Sequence, residues 1–208
     1  MKVILINGSP RGESCTYTAL SEVAGELNKN GIETEILSIG AKAIRGCIAC
    51  GKCRENGNRC IFGNDDGVNE AIEKITTADG LIVGSPVYYS SPNGSIISFL
   101  DRVFYAKKSF AFKPAAAVLS ARRAGTTASL EVINKYFMIS NMPIVSSSYW
   151  NEVHGNTPEE VMQDEEGLQI MRNLGRNMAW LIKSISMAKE AGLKEPESER
   201  KAKTNFIR

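Results

Sequence analysis

Two groups of side chains in this sequence are able to do chemistry. The first is a run of thiols: Cys47, Cys50 and Cys53 stand three residues apart, and Cys60 follows after six intervening residues. Thiolates are the ligands of iron–sulfur clusters, and closely spaced Cys-x-x-Cys-x-x-Cys puts three of them on one cubane. Gly46, Gly51 and Gly57 allow the chain to wrap tightly there. The run differs from the bacterial ferredoxin pattern, because the last gap is longer and no proline follows Cys60. Zinc fits less well, since structural zinc sites usually draw two cysteine pairs from farther apart. A third reading stays open: if residues 46–53 are helical, the three cysteines share one broad face and serve as small buried hydrophobes.

The second group is Gly8-Ser9-Pro10-Arg11-Gly12-Glu13-Ser14-Cys15-Thr16, a loop of glycine and hydroxyls with one arginine. It follows the apolar run Lys2–Asn7 and opens a helical pattern. A helix start presents free N–H groups and the positive end of its dipole, and hydroxyls and an arginine complete a cradle for a phosphate. The loop lacks Gly-Lys-Ser/Thr and Gly-x-Gly-x-x-Gly, which excludes a Walker A loop and a dinucleotide fingerprint. The plain alternative is a strand-to-helix turn with Ser14 as N-cap.

Two further loops hold candidate residues. Pro86-Val87-Tyr88-Tyr89 places adjacent aromatics where a flat ring could lie, although either tyrosine could instead pack a helix on the sheet. Ser120-Ala121-Arg122-Arg123-Ala124-Gly125 carries two arginines before a helix, or else is a solvated basic turn. His154 reads as a solvated loop histidine, and Trp150 either walls a pocket or simply packs.

The elements that must position these groups alternate. Strands are expected at 2–7, 33–38, 80–85, 114–119 and 143–145. Helices are expected at 14–29, 67–78, 93–107, 126–140 and 164–190, the last with Leu168, Met171, Leu174, Met178, Leu181 and Ile182 along one side. Alternation of β and α predicts an α/β fold, a five-stranded parallel sheet of order 2-1-3-4-5 between two helical layers. A ligand then sits beyond the carboxyl ends of the strands, near the switch between strands one and three. Residues 1–193 read as one domain, 40–66 as a cysteine-bearing insertion, and 194–208 as a polar tail, mobile or pinned to a neighbouring subunit.

The chain has 208 residues, 43% hydrophobic and 23% charged, an ordinary globular balance. Its net charge of +2 is too weak to imply nucleic acid or an anionic membrane as partner. No apolar stretch approaches the ~20 residues of a membrane helix, and a cytoplasmic location is expected. Five cysteines, four of them clustered, suggest a metal or redox site more than a disulfide framework.

On these residues the chain resembles the flavodoxin-like NAD(P)H-dependent FMN reductases, and among them the iron–sulfur flavoproteins. The matching segments are Gly8-Ser9-Pro10-Arg11 with Ser14-x-Thr16, Ser85-Pro86-Val87-Tyr88, Leu100-Asp101-Arg102, and the cysteine run followed by Asp65-Asp66. The resemblance implies FMN phosphate on Ser9, Arg11, Ser14, Cys15 and Thr16, with Cys15 standing where the family usually has Asn. It places Pro86, Val87, Tyr88 and Tyr89 along the ribityl chain and ring, and Ser120, Arg122, Arg123 and Gly125 at the ring's polar edge, where Arg122 or Arg123 offsets charge on reduced FMN. It implies a [4Fe–4S] cluster on Cys47, Cys50, Cys53 and Cys60. Asp101 and Arg102 read as a structural ion pair or subunit contact. The implied activity passes electrons from NAD(P)H to a small acceptor such as a quinone, flavin, nitro or azo compound. The alternatives are an electron carrier served by ferredoxin through the cluster, and a flavin-binding sensor without catalysis. A homodimer or homotetramer is the implied assembly.

Overall fold

A computed structural model describes residues 1–208 other than 63–64, 107–108, 200–201, 203 and 205–208. The strands are β1 (Lys2–Asn7), β2 (Glu33–Ser38), β3 (Gly80–Tyr88), β4 (Ser91–Pro92), β5 (Ala115–Ala121) and β6 (Glu152–His154). The helices are α1 (Cys15–Lys29), α2 (Val68–Thr77), α3 (Gly94–Ala106), α4 (Thr126–Ile139), α5 (Pro158–Val161) and α6 (Glu165–Glu190). The sheet runs β2-β1-β3-β5-β6, with β4 folded back antiparallel on β3. Once that short hairpin is set aside, this is the expected 2-1-3-4-5 order.

β1 is buried on both faces, as an unbroken Val3-Ile4-Leu5-Ile6 run requires of a central parallel strand. Its side chains alternate between two cores. Ile4 and Ile6 face α2 and α3 together with Val68, Ile72, Phe99 and Val103. Val3 and Leu5 face α1 and α6 together with Leu20, Val23, Met171 and Leu174. The period-two alternation therefore builds three layers from one strand. The expected stripe of α6 is buried at Leu168, Met171, Leu174, Met178 and Ile182, and Asp164 caps the helix by accepting the Gly167 N–H at 2.9 Å.

Several boundaries differ from expectation. Residues 143–145 make only one bridge, Ala115 to Ile144, and the fifth strand is β6, paired with Leu119–Ala121. Pro143 has no N–H to give a ladder. The chain then leaves the sheet edge through Ser146–Trp150, where Ser147 Oγ donates to the Tyr149 carbonyl at 2.8 Å, and rejoins it when Leu119 N–H donates to the Asn151 carbonyl at 2.9 Å. β3 runs on to Tyr88 and turns at Tyr89 and Ser90, both left-handed at φ 50° and 59°. α5 was absent from the expectation. The helical alternative for 46–53 is not realised: this stretch is irregular, and Ala49 and Gly51 are left-handed at φ 52° and 72°. The insertion at 40–66 includes residues 63 and 64, which lie outside the described residues, as do position 107 at the expected end of α3 and much of the tail from 194. Among the described residues no helix is long and apolar enough to cross a membrane.

Candidate functional site

The loop after β1 is shaped by buried Asn7. Its Nδ2 donates to the Gly12 carbonyl at 3.2 Å and to Ser38 Oγ at 3.1 Å, while its Oδ1 accepts the Ser9 N–H at 3.1 Å. Ser9 Oγ in turn accepts the Arg11 N–H at 3.2 Å. Gly8 donates its N–H to the Gly84 carbonyl at 2.8 Å, and a Cβ there would stand 2.6 Å from that oxygen, so only glycine allows this approach. Ser14 is extended (φ −146°, ψ 167°) and caps α1 by accepting the Tyr17 N–H at 3.2 Å. The N–H groups of Cys15 and Thr16, in the first turn, have no acceptor within the helix and remain for a ligand.

This loop opens on a hollow of about 240 Å³ at the carboxyl ends of β1, β3 and β5, where α/β sheets bind their ligands. Its walls bring together Ser9, Arg11, Ser14, Cys15 and Thr16 with Pro86, Val87, Tyr88, Ser120 and Arg122. Thr16 is buried, and its hydroxyl bonds that of Ser120 at 2.8 Å, tying α1 to the end of β5. Cys15 Sγ lies 3.7 Å from the Gly155 carbonyl, and burial pushes this thiol up, so it stays protonated at neutral pH. Three candidates stand outside the walls. Tyr89 is fully exposed at the tip of the β3–β4 hairpin. The Arg123 carbonyl meets His154 Nε2 at 3.0 Å. Gly125, at φ 96°, backs the hairpin, where a Cβ would come within 2.7 Å of Ser90 Cα. His154 and Trp150 also lie outside, and Trp150 stands edge-on to Tyr149 with ring centroids 4.4 Å apart.

The hollow is also walled by Glu13, Ala121, Gly155, Asn156 and Pro158, which were not anticipated. Thr157-Pro158-Glu159-Glu160 carried the signal for the last three. Thr157 Oγ1 accepts the Glu160 N–H at 3.3 Å and Glu160 returns a carboxylate to the Asn156 N–H at 2.6 Å, a cap with proline at the first helical position.

A second, much tighter hollow, with only about 10 Å³ of free space, is lined by all four clustered cysteines, with Phe62, Arg102 and Tyr105. All four thiols are free; Cys60 is buried and Cys50 exposed. Burial pushes the Cys53 thiol up, and the neighbouring Cys60, Cys50 and Cys47 push it the same way. Among the described residues no three His, Cys, Asp or Glu side chains are grouped around a single ion. A zinc–sulfur bond of ~2.3 Å demands thiolates within about 4 Å of one another. A cubane takes one thiolate on each iron, and four cysteines lining one hollow are the donor set it needs.

Arg102 is 1% exposed. Its ion-pair partner is Asp66, not the adjacent Asp101, which accepts the Tyr136 hydroxyl at 2.5 Å. Its Nε donates to Cys60 Sγ at 3.3 Å. Burial works against the Arg102 charge, but Asp66 and Cys60 outweigh it.

The family model for NADPH-dependent FMN reductase matches residues 1–157. An iron–sulfur flavoprotein of Methanocaldococcus jannaschii is 34% identical over 194 residues, covering 89% of this chain and 99% of that protein. Among solved structures, an NAD(P)H:quinone oxidoreductase from Methanothermobacter marburgensis aligns with a TM-score of 0.64 at 20% identity, over 86% of this chain and 96% of that one. A WrbA-like flavodoxin of Agrobacterium tumefaciens aligns at 0.62 and 14%, over 88% and 98%. At such identities the two structures establish the flavodoxin-like fold alone. The loop after β1, the hollow at the strand ends and the family match agree: the chain belongs to the NADPH-dependent FMN reductase family and is an FMN-dependent oxidoreductase.

Proposed function

We propose that the chain is a flavin-and-cluster electron-transfer protein, binding FMN in the larger hollow and a [4Fe–4S] cluster in the smaller, and exchanging electrons with a ferredoxin-type carrier. The observation that carries this reading is the convergence of Cys47, Cys50, Cys53 and Cys60 on one hollow beside a buried arginine.

The donor set of the larger hollow suits a phosphate ester. Ser9 and Ser14 hydroxyls, the first turn of α1 and the Arg11 guanidinium would hold the phosphate, and Cys15 would contribute its backbone N–H rather than its thiol. Pro86, Val87 and Tyr88 would flank the ring, with Ser120 and Arg122 at its polar edge. Tyr89, Arg123 and Gly125 stand outside these walls, and Gly125 lets the hairpin close against it. Bound there, FMN supplies chemistry that joins two-electron donors to one-electron acceptors, and no side chain need act as nucleophile or general base. Arg122 would offset negative charge on the bound group, and Pro86 and Val87 would exclude water where they line the hollow.

A second reading takes NADPH as donor, in keeping with the family's description, and NADH as its close variant, with a quinone, flavin, nitro or azo compound as acceptor meeting the ring through the open side of the hollow. Anaerobic purification followed by visible spectroscopy and assay of iron and sulfide separates the two. The first reading expects about four irons per chain, and flavin bleached by reduced ferredoxin but slowly by NADPH or NADH. Rapid bleaching by NADPH in protein free of iron establishes the second. Protein that takes up no FMN at micromolar concentrations overturns both.

A further inference from the structure

Arg102 is poorly satisfied by the protein alone. It is almost wholly buried, and a buried guanidinium needs partners for its five N–H groups. Nη1 has the Asp66 carboxylate and, at 3.5 Å, the Arg45 carbonyl. Nε points to a sulfur, a weak acceptor while that sulfur is a thiol. Nη2 has no partner among the described residues. The same side chain lines the hollow of the four cysteines. A buried cation with an orphaned donor, set against four thiols, describes a site made for something negative and sulfur-rich.

We propose that Arg102 positions the cluster and tunes its potential, donating Nε–H to the Cys60 thiolate and Nη2–H to a sulfide of the cubane; this rests on the cluster reading above. Four thiolates around a [4Fe–4S]2+ core carry a net charge of −2, and uptake of one electron makes it −3. In a partly desolvated hollow a fixed positive charge and N–H···S bonds favour the more negative state, so Arg102 raises the reduction potential. Asp66 sets the fork and offsets part of its charge, but by engaging Nη1 it leaves Nε to Cys60 and Nη2 free to donate, so the N–H···S bonds remain available. Lysine would keep the charge but not the planar set of donors.

The test is a redox titration of the anaerobically reconstituted full chain, followed by EPR of the reduced cluster, for wild type, Arg102→Gln and Arg102→Lys. The glutamine variant is expected to shift the one-electron equilibrium at least tenfold towards the oxidised cluster, about 59 mV more negative. The lysine variant is expected to recover part of that shift, and the flavin couple to stay in place as an internal reference. A variant that binds the cluster at the wild-type potential overturns the role of Arg102 and leaves the cluster reading standing. Wild type that binds no iron or sulfide overturns both. Where neither variant folds or holds iron, pulsed EPR of reduced wild type carrying 15N-arginine decides. A 15N coupling to the cluster is expected, and its absence overturns the proposal.

Discussion

Asn69 exchanges both ends of its amide with the backbone of Cys60. Its Oδ1 accepts the Cys60 N–H at 2.8 Å, and its Nδ2 donates to the Cys60 carbonyl at 2.9 Å. Both residues are buried, so the bonds are out of competition with water. Cys60 is thus pinned to the first turn of α2, while Cys47, Cys50 and Cys53 sit on irregular chain. Replacing Asn69 by Ala strands the buried Cys60 N–H, while the Cys60 carbonyl keeps Asn56 Nδ2 at 3.4 Å, and is expected to cost about 1–3 kcal/mol. Urea unfolding measures that cost, and iron content after reconstitution is expected to fall with it.

The loop after β1 predicts a separation of binding from folding. Arg11→Ala removes a charge-assisted donor from an exposed side chain and is expected to weaken FMN by roughly 10- to 100-fold, with unfolding unchanged. Ser14→Ala removes the cap of α1 as well, at about 1 kcal/mol of stability. Flavin fluorescence titration and thermal unfolding of the two variants read the two effects apart.

Glu26 predicts an acid limb to the stability curve. Burial raises its carboxyl pKa, but Arg176, at 3.0 Å, and Lys29 outweigh that and hold it below the usual carboxylate range. A group depressed in the folded state stabilises above its unfolded value, near ~4.3, and loses that contribution as pH falls through the folded value. Glu26→Gln is therefore expected to be destabilised at pH 7 and to converge on wild type below about pH 4. Urea midpoints across pH 3 to 7 test the convergence; a gap that stays constant would refute it.

The β3–β4 hairpin turns on Tyr89 and Ser90, each at positive φ, where Asn-Gly is the favoured pair. Replacing the two residues by Asn and Gly is expected to stabilise the protein by about 1–2 kcal/mol, by relieving left-handed strain. Because Tyr89 lies outside the walls of the larger hollow, FMN affinity is expected to hold within threefold. A tenfold loss would return Tyr89 to the site.

The central strands were legible because their signal is continuous burial: Val3–Ile6 and Leu81–Val83 read as strands and are strands. Ser14 was legible as a cap because the hydroxyl precedes a helical period. What stayed hidden depends on one or two residues in tertiary context. β6 has three residues and one buried side chain, too few for a period, so Pro143–Val145 looked the stronger strand. α5 has four residues, and only its Thr-Pro start marks it. Arg11 and Arg122 could be assigned to the site from loop position, but the partition of Arg122 to the wall and Arg123 to His154 needs the register of β5 against β6. The pairing of Arg102 with Asp66 was likewise invisible, since it spans 36 positions and competes on paper with the adjacent Asp101.

The two hollows have no wall residue in common. The cysteine loop lies between β2, at the margin of the sheet, and α2, and Cys60 and Asp66 tie its end to α2 and α3 rather than to the strand ends that face the other hollow. Damage confined to the exposed end of that loop, at Cys50, thus leaves the walls of the strand-end hollow in place, so injury at the thiols and loss of the phosphate cradle are separable events.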